Sequence, residues 1–518
     1  VGTKFPAAAL AFALSMAGCT VGPNFHRPEA AVPTSFLSGH PPPTAAEHSV
    51  AVATPINPSW WSLLDDPELN KLVNRVATEN LDVRIATIQL AESRAQRASV
   101  ASGLFPTLNG NASYTREKPS AKGIFSAFGS GGGSASGFAS GTGAGTSANG
   151  AGSNSGPGGV GGVSIAPLDL YQAGFDASWE LDLWGKVRRS VESADASIDA
   201  SAEARRDTLL NSLAELVRDY VQLRGVQADI AITKDSIATA DETLRLTESR
   251  ANSGLTPVLD VTTARAQMSS TEAALPQFEQ QETSLINALG TLLGEPPGTL
   301  RAELSATRPV PPVPPRVPIG LPSELARRRP DIREAEARLH GATADIGVAV
   351  ANFFPSITLT GSVGVQALQP KNLFTTAAGQ YAFGPSLTVP IFEGGQLRAT
   401  LALRKAQQQE AAVNYQKVVL QALQEVDNAL SAYADEQQRH DRLAATARDS
   451  QTSLDLSRQL YGRGLADFLK VLDAQRTLLS ARQQLADSTT TLSTDLVALY
   501  KALGGGWETQ FPERTAAR

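Results

Sequence analysis

The chain has one cysteine in 518 residues, which excludes a disulfide framework, a zinc-finger cluster and a thioredoxin-like CxxC pair. Its five histidines, at 26, 40, 48, 340 and 440, show no metal-ligand spacing. No run approaches the roughly 20 apolar residues of a spanning helix, so a polytopic helical membrane protein is ruled out. Charge of one sign is also lacking: 45 basic against 51 acidic side chains give a net charge of −6, with no dominant basic face for nucleic acid. Aromatics reach only 6%, beside 31 prolines, a poor stock for a set of compact enzyme cores. The GxSxG, HExxH and Walker A patterns are missing. A lone GxGxxG, at Gly156, Gly158 and Gly161, sits in low-complexity sequence with no strand before it and no helix after it, which excludes a dinucleotide site. Asp65 and Asp66 precede Pro67 and read as a helix start rather than a catalytic pair.

What is there begins with export. Lys4 precedes a short apolar stretch from Phe5 to Leu14, then small residues, so residues 1–18 read as a secretory signal. Leu14-Ser15-Met16-Ala17-Gly18-Cys19 resembles a bacterial lipobox, with Met16 where leucine is usual. Cys19 is thereby expected to carry covalent lipid, and each buried CH2 of an acyl chain contributes about 0.8 kcal/mol to anchoring. Thr20, in the place of an aspartate, suggests delivery to the outer membrane. The alternative is an ordinary signal with an incidental cysteine.

After a lipidated N-terminus and extended, Pro-rich leader (19–64), the chain is written twice. Gly254-Leu255 recurs as Gly464-Leu465, and Gly294 as Gly504, each 210 positions on. Leu104-Phe105-Pro106 recurs as Phe353-Phe354-Pro355, 249 positions on. The shift changes because the first half carries a Gly/Ser-rich insertion, 123–162, that cannot bury a core and reads as a loop. The repeats span 65–294 and 323–504, with a Pro-rich linker (295–322) between them and a tail (505–518) after them. Each repeat is expected to run helix, strand, loop, strand, very long helix, Gly break, second long helix. Residues 396–461 and 465–503 lack Gly and Pro, and 186–253 has only Gly225. The first of these would be a helix of roughly 100 Å at ~1.5 Å per residue. Its apolar stripe, Leu420, Leu423, Val426, Leu430 and Tyr433, is as narrow as a coiled-coil seam.

Four segments alternate instead. Ile357, Leu359, Gly361, Val363 and Val365 oppose Ser356, Thr358, Thr360, Ser362 and Gly364; Tyr381 to Ile391 repeats the pattern. Phe175, Ala177, Trp179, Leu181 and Leu183 oppose Asp176, Ser178, Glu180 and Asp182, and 108–114 alternates more weakly. Each is close to the 9–11 residues that a tilted strand needs to cross a bilayer. Four strands cannot enclose an open bore, and free strand edges are not tolerated in lipid. Copies of the chain must therefore pool their strands, about 12 for three copies. A soluble β-sandwich with one polar face is the bland alternative.

These passages resemble the outer-membrane efflux proteins, the TolC-like exit ducts, and specifically the lipoprotein branch serving resistance-nodulation-division (RND) pumps. The likeness rests on Cys19-Thr20-Val21-Gly22-Pro23-Asn24-Phe25, on Arg328-Arg329-Pro330-Asp331-Ile332-Arg333 with Glu336, and on Phe354-Pro355. Phe392-Glu393-Gly394-Gly395, Tyr461-Gly462-Arg463-Gly464 and Leu472-Asp473-Ala474-Gln475 complete it, in the family's order over almost the whole chain. The resemblance implies an α+β membrane protein with internal duplication: a homotrimer whose 12-strand β-barrel is continuous with a coiled-coil periplasmic tube. It implies a periplasmic adaptor and an inner-membrane RND pump as partners, outer-membrane lipid around the barrel, no nucleic acid, no catalysis, and no cofactor besides the lipid on Cys19. It also implies a gate where Gly254 and Gly464 break the hairpins. By motif position Asp473 matches the gate acid, Lys470 stands where some relatives have a second acid, Tyr461 matches a latch tyrosine and Asp260 a latch acid. Ala466 occupies the place of a latch arginine, for which Arg463 is the substitute. Asp176, Glu180 and Asp182 would line the bore and favour cations. An exit duct for type I secretion and a periplasmic coiled-coil scaffold lipoprotein are the alternative functions.

Overall fold

The structure, a computed structural model, describes residues 20–28, 33, 50–52, 54–118 and 167–511. The signal segment, Cys19, the Gly/Ser-rich loop with its GxGxxG glycines and residues 512–518 lie outside the described residues. The chain divides into a helical unit and a sheet unit, the latter made of Ser102–Leu183 and Phe354–Ile391.

In the helical unit α1 (Pro67–Glu79) starts as its sequence dictates. Asp66 is the N-cap, its carboxylate accepting from the Glu68 and Leu69 amides, and Pro67 fills the first turn, where no amide is needed. Helix α2 (Leu81–Ala101) follows directly. Then come α3 (Lys186–Asn252), α4 (Val258–Glu272) and α5 (Leu275–Leu292). The second repeat supplies α6 (Pro322–Arg328), α7 (Pro330–Ala351), α8 (Gln396–Gly462) and α9 (Phe468–Ala502). Helices α3 and α8 have 67 residues each, and their first and last residues are 210 positions apart. The same shift carries the start of α4 and the end of α5 onto the two ends of α9. One difference separates the repeats: α9 is continuous, whereas α4 and α5 are split beside Pro276, whose counterpart is Ala486. A proline inside a helix lacks the amide donor and crowds the preceding turn.

The main core gathers both repeats. Leu69, Leu72 and Val76 of α1 meet Leu213, Val217 and Tyr220 of α3, Leu289 of α5, and Leu496, Leu499 and Tyr500 of α9. Burying such side chains contributes about 1.5–3 kcal/mol each. Trp60 stacks on Tyr500 at 5.2 Å and donates to the Gly505 carbonyl at 3.0 Å. The tail expected from 505 is therefore core as far as Phe511: Trp507 is buried and donates to the Gly504 carbonyl. Leader and linker also hold more order than their prolines suggest. Strands β1 (Val50–Val52) and β4 (Arg316–Pro318) pair in parallel, and a helical turn spans Arg301–Leu304. Strands of 3 residues are too short to leave an alternation to read. In α8 the narrow stripe is only partly a seam, since Val426 and Tyr433 are buried but Leu420 is exposed in the single chain.

Two sequence motifs are explained by packing. Arg329 is buried, donates to the Ala502 carbonyl at 2.8 Å, and pairs with Asp331 and Glu425, both at 2.7 Å. Burial pulls its guanidinium down, but those carboxylates outweigh it and hold it above its usual value. The Arg-Arg-Pro-Asp run thus caps the end of α9. Gly22 packs so closely on Gly347 that a Cβ there would lie 2.5 Å from the Gly347 Cα. Arg189 donates to the Val21 carbonyl and to Asn24 at 2.7 Å, strapping the residues after Cys19 onto α3 and α7.

The sheet unit has four antiparallel strands in the order β2 (Thr107–Glu117), β3 (Leu168–Leu181), β5 (Ser356–Ala367) and β6 (Gly379–Thr388). Over its central rows the register sorts the alternation by face. Asn109, Asp176, Ser362 and Ala382 form one row, as do Thr107, Ser178, Thr360 and Gly384. The neighbouring rows are apolar: Gly110, Phe175, Val363 and Tyr381, then Leu108, Ala177, Gly361 and Phe383. One face is polar and the other apolar across all four strands, as successive residues point to opposite faces. The repeats again coincide. Thr107 pairs with Ser178 and Ser356 with Thr388, the same pair shifted by 249 and 210 positions.

Candidate functional site

Both hairpins of the helical unit turn in the same way. Gly254 has φ +70° and Gly464 φ +75°, the left-handed region where a Cβ is strained. The following amides, Leu255 and Leu465, bond back to the Arg250 and Leu460 carbonyls at 2.9 Å, closing each helix as a Schellman motif. At Gly254 no atom of the described residues lies within 4 Å of an added Cβ, so backbone conformation demands the glycine. Helix α9 then starts with Asp467 capping the Lys470 amide at 3.1 Å.

Beneath the turns lies a small apolar cluster of Ala264, Leu454, Tyr461, Phe468, Val471, Leu472, Ala474 and Leu478. Tyr461 is buried in it, 5.8 Å from the Phe468 ring, and its hydroxyl has no hydrogen-bond partner among the described residues. The Thr256 hydroxyl, just before α4, donates to the Asp260 carboxylate in the helix's first turn. Asp473 stands exposed between buried neighbours, with neither an ion pair nor a hydrogen bond among the described residues. Lys470 is exposed one turn earlier. This acid is therefore available to whatever faces α9 outside the single chain.

Arg463, the C-cap of α8, is exposed, and the arginine that meets Tyr461 within the chain is another one. It is Arg250, in the last turn of α3: its guanidinium carbon lies 4.8 Å over the Tyr461 ring, and it donates to the Gly462 carbonyl at 3.3 Å. No motif marks Arg250; the one available signal is a basic residue in a helix's final turn, where free carbonyls attract cations. Further ties between the two hairpins were equally hidden in the sequence. Arg458 pairs with Glu242, Arg482 with Asp235 at 2.5 Å, and Arg476 donates to Gln267 at 2.6 Å.

On the polar face of the sheet, Asp176 accepts from Asn111 at 2.6 Å, and Glu180 stands opposite Thr358. Asp182, assigned to the same face by the alternation, comes one residue after the last paired residue of β3. Strand β3 ends at Leu181, and the Leu183 amide bonds back to the Leu181 carbonyl, so the chain leaves the pleat before Asp182 can continue it. The opposite face exposes Phe383 (82%), Tyr381 (78%), Val363 (59%) and Phe175 (56%), an apolar surface that water does not tolerate uncovered. Near one end of the β2–β3 hairpin Tyr114 and Tyr171 pack 4.8 Å apart, and Tyr114 donates to Asp169. Near the other end the Trp179 ring donates to the Leu104 carbonyl. Aromatic rings with a polar tip at both ends of an apolar band are the girdles of a membrane strand.

The profile of the outer membrane efflux protein family matches residues 72–295 and 321–505. A probable efflux pump outer membrane protein of Pseudomonas putida, TtgC, is 31% identical over 96% of this chain and 95% of its own. The Escherichia coli cation efflux system protein CusC is 29% identical over 96% and 97%. Among solved structures the outer-membrane channel OprN superposes with a TM-score of 0.80 at 33% identity, covering 95% of this chain and all of that one. With a polar-and-apolar sheet, two matched helical hairpins and end-to-end similarity to these channels, the chain belongs to the outer membrane efflux protein family.

Proposed function

We propose that three copies of this chain form the outer-membrane channel of a tripartite efflux system, anchored by lipid on Cys19. The duct is passive: an inner-membrane RND pump supplies the energy, and a periplasmic adaptor joins pump to channel. The sheet carries this reading. It has two segregated faces and two unpaired edges, β2 and β6, which lipid does not tolerate. Twelve strands from three chains close the barrel with the polar face inward, so that Asp176 and Glu180 line a cation-favouring bore. At the periplasmic end, Asp473 from each chain forms the gate ring, and the Arg250 and Arg458 ties keep the hairpins together. Exposed leucines at matching places on both turns, Leu255 with Leu465 and Leu259 with Leu469, offer the adaptor an apolar contact.

The duplication also supports a specific register for the seam. Phe175 faces Val363 and Asp176 faces Ser362 where the two repeats meet within the chain. The shifts of 210 and 249 positions convert these pairs into Pro385 opposite Tyr114, and Ser386 opposite Ser113, of the neighbouring chain. A Ser113→Cys, Ser386→Cys double variant is expected to cross-link into closed trimers on oxidation in the outer membrane. Monomers that stay uncross-linked, or cross-links formed only after a shift of Ser386 by one position, would refute the seam.

A further inference from the structure

Away from the hairpin turns, α3, α5 and α9 line an open groove of about 490 Å³. Helix α3 contributes Gln222, Gly225 and Asp229, which share one face by their spacing. Helix α5 adds Gln281 and Ser284, and α9 adds Asp487 and Thr490. Helices α3 and α9 approach closely where Gly225 meets Thr490: a Cβ on Gly225 would come within 2.3 Å of the Thr490 hydroxyl. Asp229 is only 8% exposed, and its Oδ1 is buried with no hydrogen-bond partner among the described residues. No lysine, arginine or histidine is among the described residues lining the groove.

A buried carboxylate oxygen with no donor is costly, and a second carboxylate beside it adds repulsion. Burial, helped by Asp487, pushes the Asp229 carboxyl up to about 7. Such a site is satisfied by a proton or by a cation. The chemistry of the lining favours the cation. Two carboxylates stand with amide oxygens of Gln222 and Gln281 and hydroxyls of Ser284 and Thr490, and the Thr490 hydroxyl already donates to Ala486, which leaves its oxygen free to accept. All of these are hard oxygen donors, with no sulfur or imidazole among them, the set that suits calcium or magnesium and not copper, silver or zinc.

We propose that this groove binds one hard divalent cation per chain, of the calcium class, with Asp229 as the buried anchor and Asp487 as the second carboxylate. The cation bridges the first repeat to α9 of the second, bracing the helical unit well apart from the Arg250 contact. The site does not depend on the channel reading, since its ligands come from one chain.

Equilibrium dialysis of the full chain in detergent against calcium at pH 8, with thermal unfolding in calcium and in chelator, tests it. Wild-type protein is expected to retain one calcium ion per chain more than Asp229→Asn. Asp487→Asn, at the exposed rim where folding is not at stake, is expected to lower affinity at least tenfold. The exposed control Glu410→Gln is expected to bind as wild type does. Equal calcium binding by wild type and Asp487→Asn would overturn the proposal. So would a wild type that is stabilised by acidification through pH 7 yet binds no calcium at pH 8, which would make Asp229 a simple protonated acid.

Discussion

The Arg250 guanidinium lies 4.8 Å over the ring of Tyr461, joining the end of the first long helix to the end of its repeat. Tyr461 belongs to a small apolar cluster, half-buried Arg250 forms a cation–π pair with it, and the same arginine donates to the carbonyl of Gly462. Removing it leaves both hairpins intact but loosens their junction. Arg250→Ala is expected to raise closed-state conductance in planar bilayers about tenfold, corresponding to roughly 1–2 kcal/mol of lost contact. Arg463→Ala, in which only an exposed side chain is lost, should leave the trace unchanged.

Asp473→Ala is expected to raise leak current by a separate route, by removing the carboxylate ring of the gate. The Arg250 and Asp473 effects should add, because the two side chains share no contact among the described residues. An unchanged closed-state current in Asp473→Ala would remove this residue from the gate.

The two turn glycines are set by backbone conformation. Gly254→Ala and Gly464→Ala each force a Cβ into the left-handed region, at a cost of about 1–2 kcal/mol. Thermal unfolding should show a similar loss for each, since their φ values and Schellman bonds match.

Asp207 gives the helical unit a pH dependence of known sign. Burial, with Asp331 and Glu334 nearby, raises its carboxyl to about 6 from 3.8. The folded state therefore holds the proton more tightly than the unfolded chain does. Stability is greatest below the unfolded value and falls as pH rises from about 4 through about 6, after which the loss is complete. Asp207→Asn should remove this slope and unfold later than wild type at pH 7.5. A wild-type midpoint that rises between pH 4 and 6 in parallel with the variant's would contradict the assignment.

The sheet faces predict opposite outcomes for changes in two adjacent rows. Val363→Arg, on the apolar face of a central strand, is expected to cost about 2–4 kcal/mol and to block assembly in the outer membrane. Asp176→Asn, its neighbour's polar-face residue, should assemble normally and lower cation preference in single-channel recording. Anion preference in the wild type would refute the acidic bore.

Much of this was written along the chain. Alternation in 356–365 and the Gly/Pro-free run 396–461 are local periodicities, so strands and long helices could be placed within a few residues of their ends. The glycines at 254 and 464 mark turns because left-handed backbone excludes most other residues. What the sequence left open was pairing between distant residues. Nothing local brings Arg250 to Tyr461, Trp507 to the core, or Val50–Val52 to Arg316–Pro318, since those contacts depend on helices crossing and segments meeting in space. Asp182 shows the converse limit: its alternation was right in pattern, but the strand had already ended at Leu181. Periodicity determined which elements form and which faces they bury, while only tertiary packing decided which side chains meet across them, because contact energy depends on distance in space and not along the chain.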